Sequence, residues 1–456
     1  MYLEDTIAAI ATPVGCGGIG IVRVSGPDAS IIADSVFIKQ GSGGLESHRF
    51  YYGRIIEPAD RSLIDEGMAV LMRAPRSYTR EDVLELHCHG GYLIVQRVLD
   101  ACLRAGARLS EAGEFTRRAF LNGRIDLCQA ESIIDLINSR TEMSLAYAQS
   151  QREGVLSARL GEVTGQLRNA LALIEAFIDF PEEDLDAVSL GQIESQVASS
   201  RQSLEALLES YAHGKVIRDG ISVLLAGKPN VGKSSLLNAL TLEQRAIVSH
   251  IPGTTRDVIE EIINIDGLPV RIIDSAGIRE SRDEIEQEGI RRSLEKLALA
   301  DLVLFLVDGS APIDQQDRDL LKAIAGKRCI TVVNKADLPQ VPDEGGLTVG
   351  SHVVRISSKD GTGIDQLRSE IFHSFVSERV LTSRDHVAIT SSRHRDILAR
   401  AQSGLDRFLL QLAAGASGEL LAIDLRDALT AVGEITGETT PDTILDMIFS
   451  SFCIGK

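Results

Sequence analysis

The sequence predicts an α+β N-terminal domain, a discontinuous α-helical domain, and an α/β P-loop domain inserted between the two halves of the helical one. Three observations carry this. A complete phosphate loop stands at residues 227–234, between an apolar strand-like run and a helix-like one. Apolar residues recur at three and four from about Leu121 to Lys215, where Pro181 is the only proline, and the helical pattern returns from Ser391. The residues before about 118 mix short strand-like and helix-like runs without a repeating βαβ order. The boundaries that follow are 1–118, 119–215, 216–380 and 381–456.

In the first region Ile19–Val24, Phe50–Ile55, Met68–Met72 and Val83–His87 read as strands, and Ala29–Phe37 and Gly91–Ala105 as helices. Leu167, Leu171, Ile174 and Ile178 mark one face of a helix in the second. A further helical stretch covers Ser391–Ala413 and Leu420–Phe452. Each stretch alone is short for a stable core, so the expected arrangement is one bundle interrupted by the P-loop domain; two separate small bundles are the alternative. The acidic run at residues 181–186 reads as a solvated turn between helices.

The phosphate loop reads Gly227-Lys228-Pro229-Asn230-Val231-Gly232-Lys233-Ser234, between Ile221–Ala226 and a helix-like run that starts at Ser235. Strand, glycine-rich turn and helix N-terminus together make an anion site. Lys233 is expected on the β- and γ-phosphates and the Ser234 hydroxyl on Mg²⁺. Asn334-Lys335-Ala336-Asp337 follows the apolar run Cys329–Val333, and the Asp337 carboxylate suits the two donors on guanine's Watson–Crick edge. Asp274-Ser275-Ala276-Gly277 follows Val270–Ile273, with Asp274 expected to hold Mg²⁺ through water and the Gly277 N–H to sense the γ-phosphate. Gly253-Thr254-Thr255-Arg256-Asp257 supplies switch-loop hydroxyls. Ser357-Ser358-Lys359 fits the last guanine-contacting loop. Five elements in this order define a GTP-binding domain.

The glutamine that orients water in many GTPases is replaced by Ile278 after this Asp-x-x-Gly segment. Arg256 and Arg279 are close enough in sequence to be considered as arginine fingers. Asn230 either coordinates a monovalent cation beside the phosphates or caps the loop's own backbone.

A chain of 456 residues has room for two to four domains. No run of about 18 uninterrupted apolar residues supports a membrane span, and no basic leader supports export. The six cysteines show no C-x-x-C spacing, which argues against zinc ribbons and disulfide frameworks and for a reducing cytoplasm. A net charge of −18 argues against indiscriminate nucleic-acid binding. RNA contact would need a local patch such as Arg104, Arg108, Arg117, Arg118 and Arg124; ion-paired surface is the equal alternative.

Over its whole length the chain resembles the MnmE/TrmE family of tRNA modification GTPases. The likeness rests on Asp5-Thr6-Ile7, Ala11-Thr12-Pro13 and residues 17–26 at the start, and on Glu81-Asp82-Val83-Leu84-Glu85, His89-Gly90-Gly91 and residues 113–123. It rests further on Gly227-Lys228-Pro229-Asn230, residues 253–257, residues 434–438 and the C-terminal Phe452-Cys453-Ile454-Gly455-Lys456. Ser275 in place of threonine, Cys16 in a turn where arginine is frequent, and Cys88 within a usual Gly-His-Gly-Gly run are small departures.

The resemblance implies an N-terminal domain that binds folate and dimerises, and a Ras-like G domain stimulated by K⁺. It implies modification of C5 of the wobble uridine of certain tRNAs with an aminomethyl or carboxymethylaminomethyl group. The work is shared with an FAD-dependent partner protein in a heterotetramer built on the homodimer. A 5-formyl- or 5,10-methylene-tetrahydrofolate supplies the one-carbon unit. It extends the GTP contacts from Asn230 through Ser235 and through Ser249, His250, Ile251, Pro252, Gly253, Thr254 and Thr255. Mg²⁺ falls to Ser234 and Thr255, and K⁺ to Asn230, Ser249, Ile251 and Thr254. Glu286 matches a glutamate that positions the attacking water, although its bare sequence context is an exposed helix start. Arg23, Glu81, Arg124 and Lys456 match folate contacts. Cys453 is a candidate catalytic residue near a flexible tail and a cation, against the ordinary role of a buried small hydrophobe. Two other function classes compete: a ribosome-assembly or regulatory switch GTPase without carbon chemistry, and a dynamin-like mechanical GTPase. Folate binding separates the tRNA-modification reading from both.

Overall fold

The computed structural model describes residues 5–13, 15–179, 187–241, 261–274, 297–341, 352–376 and 388–456. The side chains of 187–189, 261 and 274 are outside that description. By its internal contacts the chain divides into two units, residues 1–134 with 429–456, and residues 135–428.

The first unit is built on a seven-stranded sheet. Its elements are β1 (Ile7–Ile10), β2 (Gly17–Ser25), α1 (Ala29–Val36), β3 (Phe37–Lys39), β4 (Phe50–Ile56), β5 (Leu63–Met72), β6 (Val83–Gly90), α2 (Tyr92–Arg104), β7 (Arg108–Leu109) and α3 (Glu114–Leu121). The strand order is β3-β4-β5-β6-β2-β1-β7. All neighbours are antiparallel except β1 and β7. Period-two alternation splits the side chains between two faces. Ala8, Val22, Val24, Leu84 and Leu86 enter one core with Ile32, Val36, Val98 and Cys102 of α1 and α2. Ile7 and Ala9 point the other way, onto Phe115 of α3 with Tyr78 beside it. Arg23 and Glu85 are cross-strand partners on β2 and β6, one residue out of step with the buried Val22, Val24, Leu84 and Leu86. The short strands β1, β3 and β7 carry too few residues to show a period and were not expected from the sequence.

The second unit joins helices to a parallel sheet. After α4 (Leu127–Asn138) come α5 (Glu142–Arg152), α6 (Val155–Asp179) and α7 (Ala187–Asp219). The helix Ser392–Ala413, from beyond the P-loop domain, lies against α7, which also lies against α6. Arg201 Nε of α7 donates to Asp406 Oδ1 of that later helix. Within this unit the helix Ser392–Ala413 and the earlier helices α6 and α7 thus pack together across the intervening P-loop segment, while residues 429–456 fall in the first unit. Thr141 caps α5 with a capping box closed by Ser144. Helix α7 runs four residues beyond the expected Lys215, to Asp219, and one residue, Gly220 (φ +76°), turns it into the next strand.

That strand is β8 (Ile221–Ala226), followed by α8 (Lys233–Thr241), β9 (Glu261–Ile265), β10 (Leu268–Asp274), β11 (Leu302–Asp308), the helix Gln315–Ala323, β12 (Cys329–Asn334), β13 (Val353–Arg355) and the helix Ile364–His373. The sheet order is β13-β12-β11-β8-β10-β9, parallel except for β9 against β10. Strands covered on both faces read as continuous apolar runs, as in Leu302-Val303-Leu304-Phe305-Leu306-Val307, all buried. Leu302, Leu304 and Leu306 enter one core, Val303, Phe305 and Val307 the other. The fold class is the predicted one: an α+β N-terminal part, a helical part split in the chain, and an inserted α/β P-loop part.

The expected helical stretch Leu420–Phe452 is two helices, Gly418–Thr436 and Asp442–Ser450. Gly437 breaks it at φ +95°, where a Cβ would sit 2.5 Å from the Phe120 ring. Among the described residues no helix is long and apolar enough to cross a membrane.

Candidate nucleotide site and the docked C-terminal tail

The phosphate loop leaves the carboxyl end of β8 and closes into α8. Gly227 has φ +156°, and a Cβ there would stand 2.5 Å from Leu306 O. Gly232 has φ +101°, and its Cβ would stand 2.2 Å from Asn334 Nδ2. Only glycine lets the loop pass this close to β11 and β12. Asn230 is itself left-handed, at φ +64°. Lys233 Nζ donates to Gly227 O at 2.7 Å and Lys228 O at 2.8 Å, which holds the ammonium over its own loop. Ser234 and Ser235 are exposed at the start of α8. The glycine cradle, the ammonium and the helix start fit a phosphate chain with Mg²⁺ at Ser234.

Asn334 fastens the loop carrying Ser357 and Ser358, and its own loop, to this cradle. Its Nδ2 donates to Val231 O at 2.8 Å, and its Oδ1 accepts from Ser358 N and Oγ at 3.0 and 2.9 Å. Lys335 is left-handed (φ +65°), with Nζ 2.6 Å from Asp308 Oδ2. Asp337 is exposed, and its Oδ1 accepts from Ser357 Oγ at 3.0 Å. Ala336 N donates to Ile356 O, and Lys359 is exposed beside Ser358. The structure thus brings together Asn230–Ser235, Asn334–Asp337 and Ser357–Lys359. The backbone of Asp274 ends β10, paired with Leu225. Ser249, His250, Ile251, Pro252, Gly253, Thr254, Thr255, Ser275, Ala276, Gly277 and Glu286, with Arg256, Ile278 and Arg279, lie outside the described residues, as does the acidic run 181–186.

Sequence reasoning missed how Lys228 is anchored. Its Nζ lies 2.8 Å from Asp314 and 2.7 Å from Asp317, the N-cap and third residue of the helix Gln315–Ala323. Burial works against the Lys228 charge, but the two carboxylates outweigh it and raise its pKa.

The second site lies on the sheet face opposite α1 and α2. Gly455 (φ +92°) lies so close to β1 that a Cβ would stand 2.2 Å from Ile10 O. Ile454 forms an antiparallel bridge with Ala112. Arg23 Nε donates to Glu85 Oε1 at 2.9 Å, and Nη1 reaches Gly455 O at 3.4 Å. Burial first, then the Arg23 charge, lower the Lys456 pKa. Cys453 is exposed. The expected flexible tail is therefore a docked one, and the thiol is neither loose nor buried.

Tyr78 joins the rest of the site. The Arg23 guanidinium lies 5.5 Å and the Arg124 guanidinium 4.8 Å from its ring centroid. Arg124 Nη1 also donates to Tyr78 O at 2.6 Å. Glu81 accepts from Ser25 Oγ at 2.7 Å and from Arg118 at 3.2 Å. Arg118, 3% exposed, also pairs with Asp5 and Glu114. Arg23 and Arg124 are thus joined through Tyr78, Glu85 holds Arg23 and Arg118 holds Glu81; of these three linking residues the sequence singled out only Arg118, and that as part of a basic patch. The one available signal was the position of Glu85 two residues before His87 on a strand.

The proposed basic patch does not exist as a patch. Arg104 pairs with Glu57, Arg108 with Asp5 and Glu114, Arg117 with Asp446, and Arg118 is buried. Of the five, only Arg124 has no carboxylate partner among the described residues.

A largely parallel sheet with a glycine cradle and an Asn-Lys-x-Asp segment at the carboxyl ends of its strands defines a P-loop GTPase. The family models narrow the class: "MnmE helical domain" matches residues 127–453 and "GTP-binding protein TrmE N-terminus" matches residues 6–124. The curated protein "tRNA modification GTPase MnmE" of Geobacter metallireducens is 58% identical over 457 residues, covering 100% of both chains. Proteins of the same name from Geobacter sulfurreducens and Acetivibrio thermocellus are 57% and 42% identical, again over 100% of both chains. The chain belongs to the MnmE family of tRNA modification GTPases.

Proposed function

We propose that this protein is a K⁺-stimulated GTPase that modifies C5 of the wobble uridine of certain tRNAs, adding an aminomethyl or carboxymethylaminomethyl group. It does so in the cytoplasm with an FAD-dependent partner protein, as a homodimer within a heterotetramer. The observation that carries this is the full-length identity of 58% to a tRNA modification GTPase, with the phosphate loop and the tail site both present. The one-carbon unit comes from a 5-formyl- or 5,10-methylene-tetrahydrofolate held by Arg23, Glu81, Arg124 and Lys456. Three cations, two carboxylates and an aromatic ring around one face fit a ligand with a planar head and anionic end.

Lys233 and the loop N–H groups bind the phosphates, and Asp337 accepts from guanine. Mg²⁺ at Ser234 and Thr255, and K⁺ at Asn230, Ser249, Ile251 and Thr254, supply the positive charge that offsets charge on the transferring phosphoryl group. Glu286 positions the water. Hydrolysis is expected to be faster in K⁺ than in Na⁺, and Asn230→Ala to remove that difference; equal wild-type rates in the two salts rule out the cation role.

Mass analysis of wobble uridines in tRNA from cells with and without this protein tests the whole reading, and unchanged uridines overturn it. Cys453→Ser is expected to keep GTP hydrolysis and lose modification. Full modification by that variant removes any chemical role for the thiol.

A further inference from the structure

We propose that Arg80 and Arg124 form a carboxylate clamp for the tail of the folate, so that the protein favours folates carrying several γ-linked glutamates. This rests on the folate reading above and names which folates the site takes.

Arg80 is a non-glycine residue at φ +61°, in the left-handed region that ordinary side chains avoid. Residues held there cluster at ligand clamps, where the neighbouring structure fixes them. Here the fixing is visible. Arg80 Nη1 donates to Asn122 O at 2.9 Å, and Asn122 Nδ2 donates back to Thr79 O at 2.7 Å. Arg124 Nη1 donates to Tyr78 O. The segments 78–80 and 122–124 are thus laced by three side-chain-to-backbone bonds, with Gly123 between the arginines: a Cβ there would stand 3.5 Å from Arg80 Nη1. Each guanidinium gives one nitrogen to a backbone carbonyl and is exposed, which leaves further N–H groups for an anion.

The charges around the clamp are compensated elsewhere. Arg73 pairs with Asp82, Arg108 with Asp5, Arg117 with Asp446 and Arg118 with Glu81. Among the described residues neither Arg80 nor Arg124 has a carboxylate partner. In a chain of net charge −18, two neighbouring unpaired arginines held by backbone carbonyls form an anion site with its ligand still to be supplied. The planar forks suit carboxylates.

Position decides which anion. Tyr78 touches Arg124 and also Arg23, which reaches the tail at Gly455 O, so the clamp continues the proposed folate site. An anionic extension of that site's own ligand is delivered to it. An RNA backbone would need a longer run of free cations, and the arginines around the clamp are neutralised.

The test is titration calorimetry of the full-length protein with 5-formyl-tetrahydrofolate as the monoglutamate and as the tri-γ-glutamate. Wild type is expected to prefer the triglutamate by roughly tenfold, from charge-assisted bonds at a partly screened site. Arg80→Gly, which suits the backbone, is expected to bring the ratio within about twofold of one without lowering the thermal midpoint. Arg80→Lys is expected to keep only part of the preference, because it loses the fork. A wild-type ratio near one, or an unchanged ratio in Arg80→Gly, overturns the clamp. Binding of neither folate by wild type instead overturns the folate reading beneath it. An unchanged ratio with weakened binding of a tRNA anticodon stem-loop assigns the arginines to RNA and also overturns the proposal.

Discussion

The phosphate loop and the tail site solve one steric problem with opposite kinds of chain. At Gly232 the backbone passes so close to Asn334 that no Cβ fits, and at Gly455 it passes as close to Ile10. In the loop the contacts that hold the cradle arise within eight consecutive residues and from the ends of neighbouring parallel strands. At the tail they join residues 10, 23, 78, 85 and 455, which only the folded sheet brings together. A locally specified site can form as soon as its strand and helix do. One assembled across the chain exists only when the C-terminus has returned to the sheet. The first is expected to fail residue by residue, the second as a unit.

The largest expected effect lies at Asp337, the proposed base-reading carboxylate. Asp337→Asn replaces an acceptor of two guanine donors with an amide that must present one N–H to a donor. About 10- to 100-fold weaker GTP binding follows from leaving one such group unpaired, while xanthosine nucleotides, which offer a carbonyl there, should bind. The tail site should be untouched, since no residue of it lies in the second unit. Unchanged guanine selectivity in the variant places base recognition elsewhere.

Next in size come the two glycines, substituted one at a time. Gly232→Ala should cost about 1–2 kcal/mol, from a disfavoured φ and a clash that separates Asn334 from Val231. Nucleotide affinity should carry the loss. Gly455→Ala should cost about the same in the first unit, by lifting the tail from β1. Hydrogen exchange should then quicken in β1 and around Ala112, while GTP affinity stays as it was. Faster exchange in both units after either single substitution would show that the sites are not independent.

The same contrast explains what could be read in advance. The phosphate loop, the Asn-Lys-x-Asp segment and the strands carrying them were legible because type, order and spacing encode both conformation and chemistry. The split helical domain was legible from periodicity, since one amphipathic stretch needs the other. Tyr78, Glu85 and Arg118 were not, because their roles come from sheet register and the tail's return. Arg104, Arg108, Arg117 and Arg118 resembled a basic patch because sequence shows charges without their partners. The break at Gly437 was legible but not used: Gly437 and Pro441 interrupt the apolar pattern within a polar run, and the structure adds a positive φ and the nearby Phe120 ring as reasons for glycine there.

The smallest expected effect concerns Glu85, and it tests whether charge helps hold the tail site together. The His87 ring 3.5 Å away is the largest influence lowering its pKa; burial opposes, and Arg23 adds to the lowering. A carboxyl with a depressed folded pKa stabilises the fold above its ordinary value. That contribution is lost as the pH falls below the ordinary glutamate value and through the depressed one. Glu85→Gln keeps the shape and removes the charge. At pH 7 the variant should be less stable by about 1 kcal/mol or less, as for a partly exposed pair. The difference should vanish under acid conditions, where the wild-type carboxyl is also neutral. Hydrogen exchange of β6 measured across that range, corrected for intrinsic rates, reads the difference directly. If the gap between the two proteins is the same in acid as at neutrality, lost packing rather than charge is responsible. Arg23 would then be held at Gly455 by the shape of its surroundings alone.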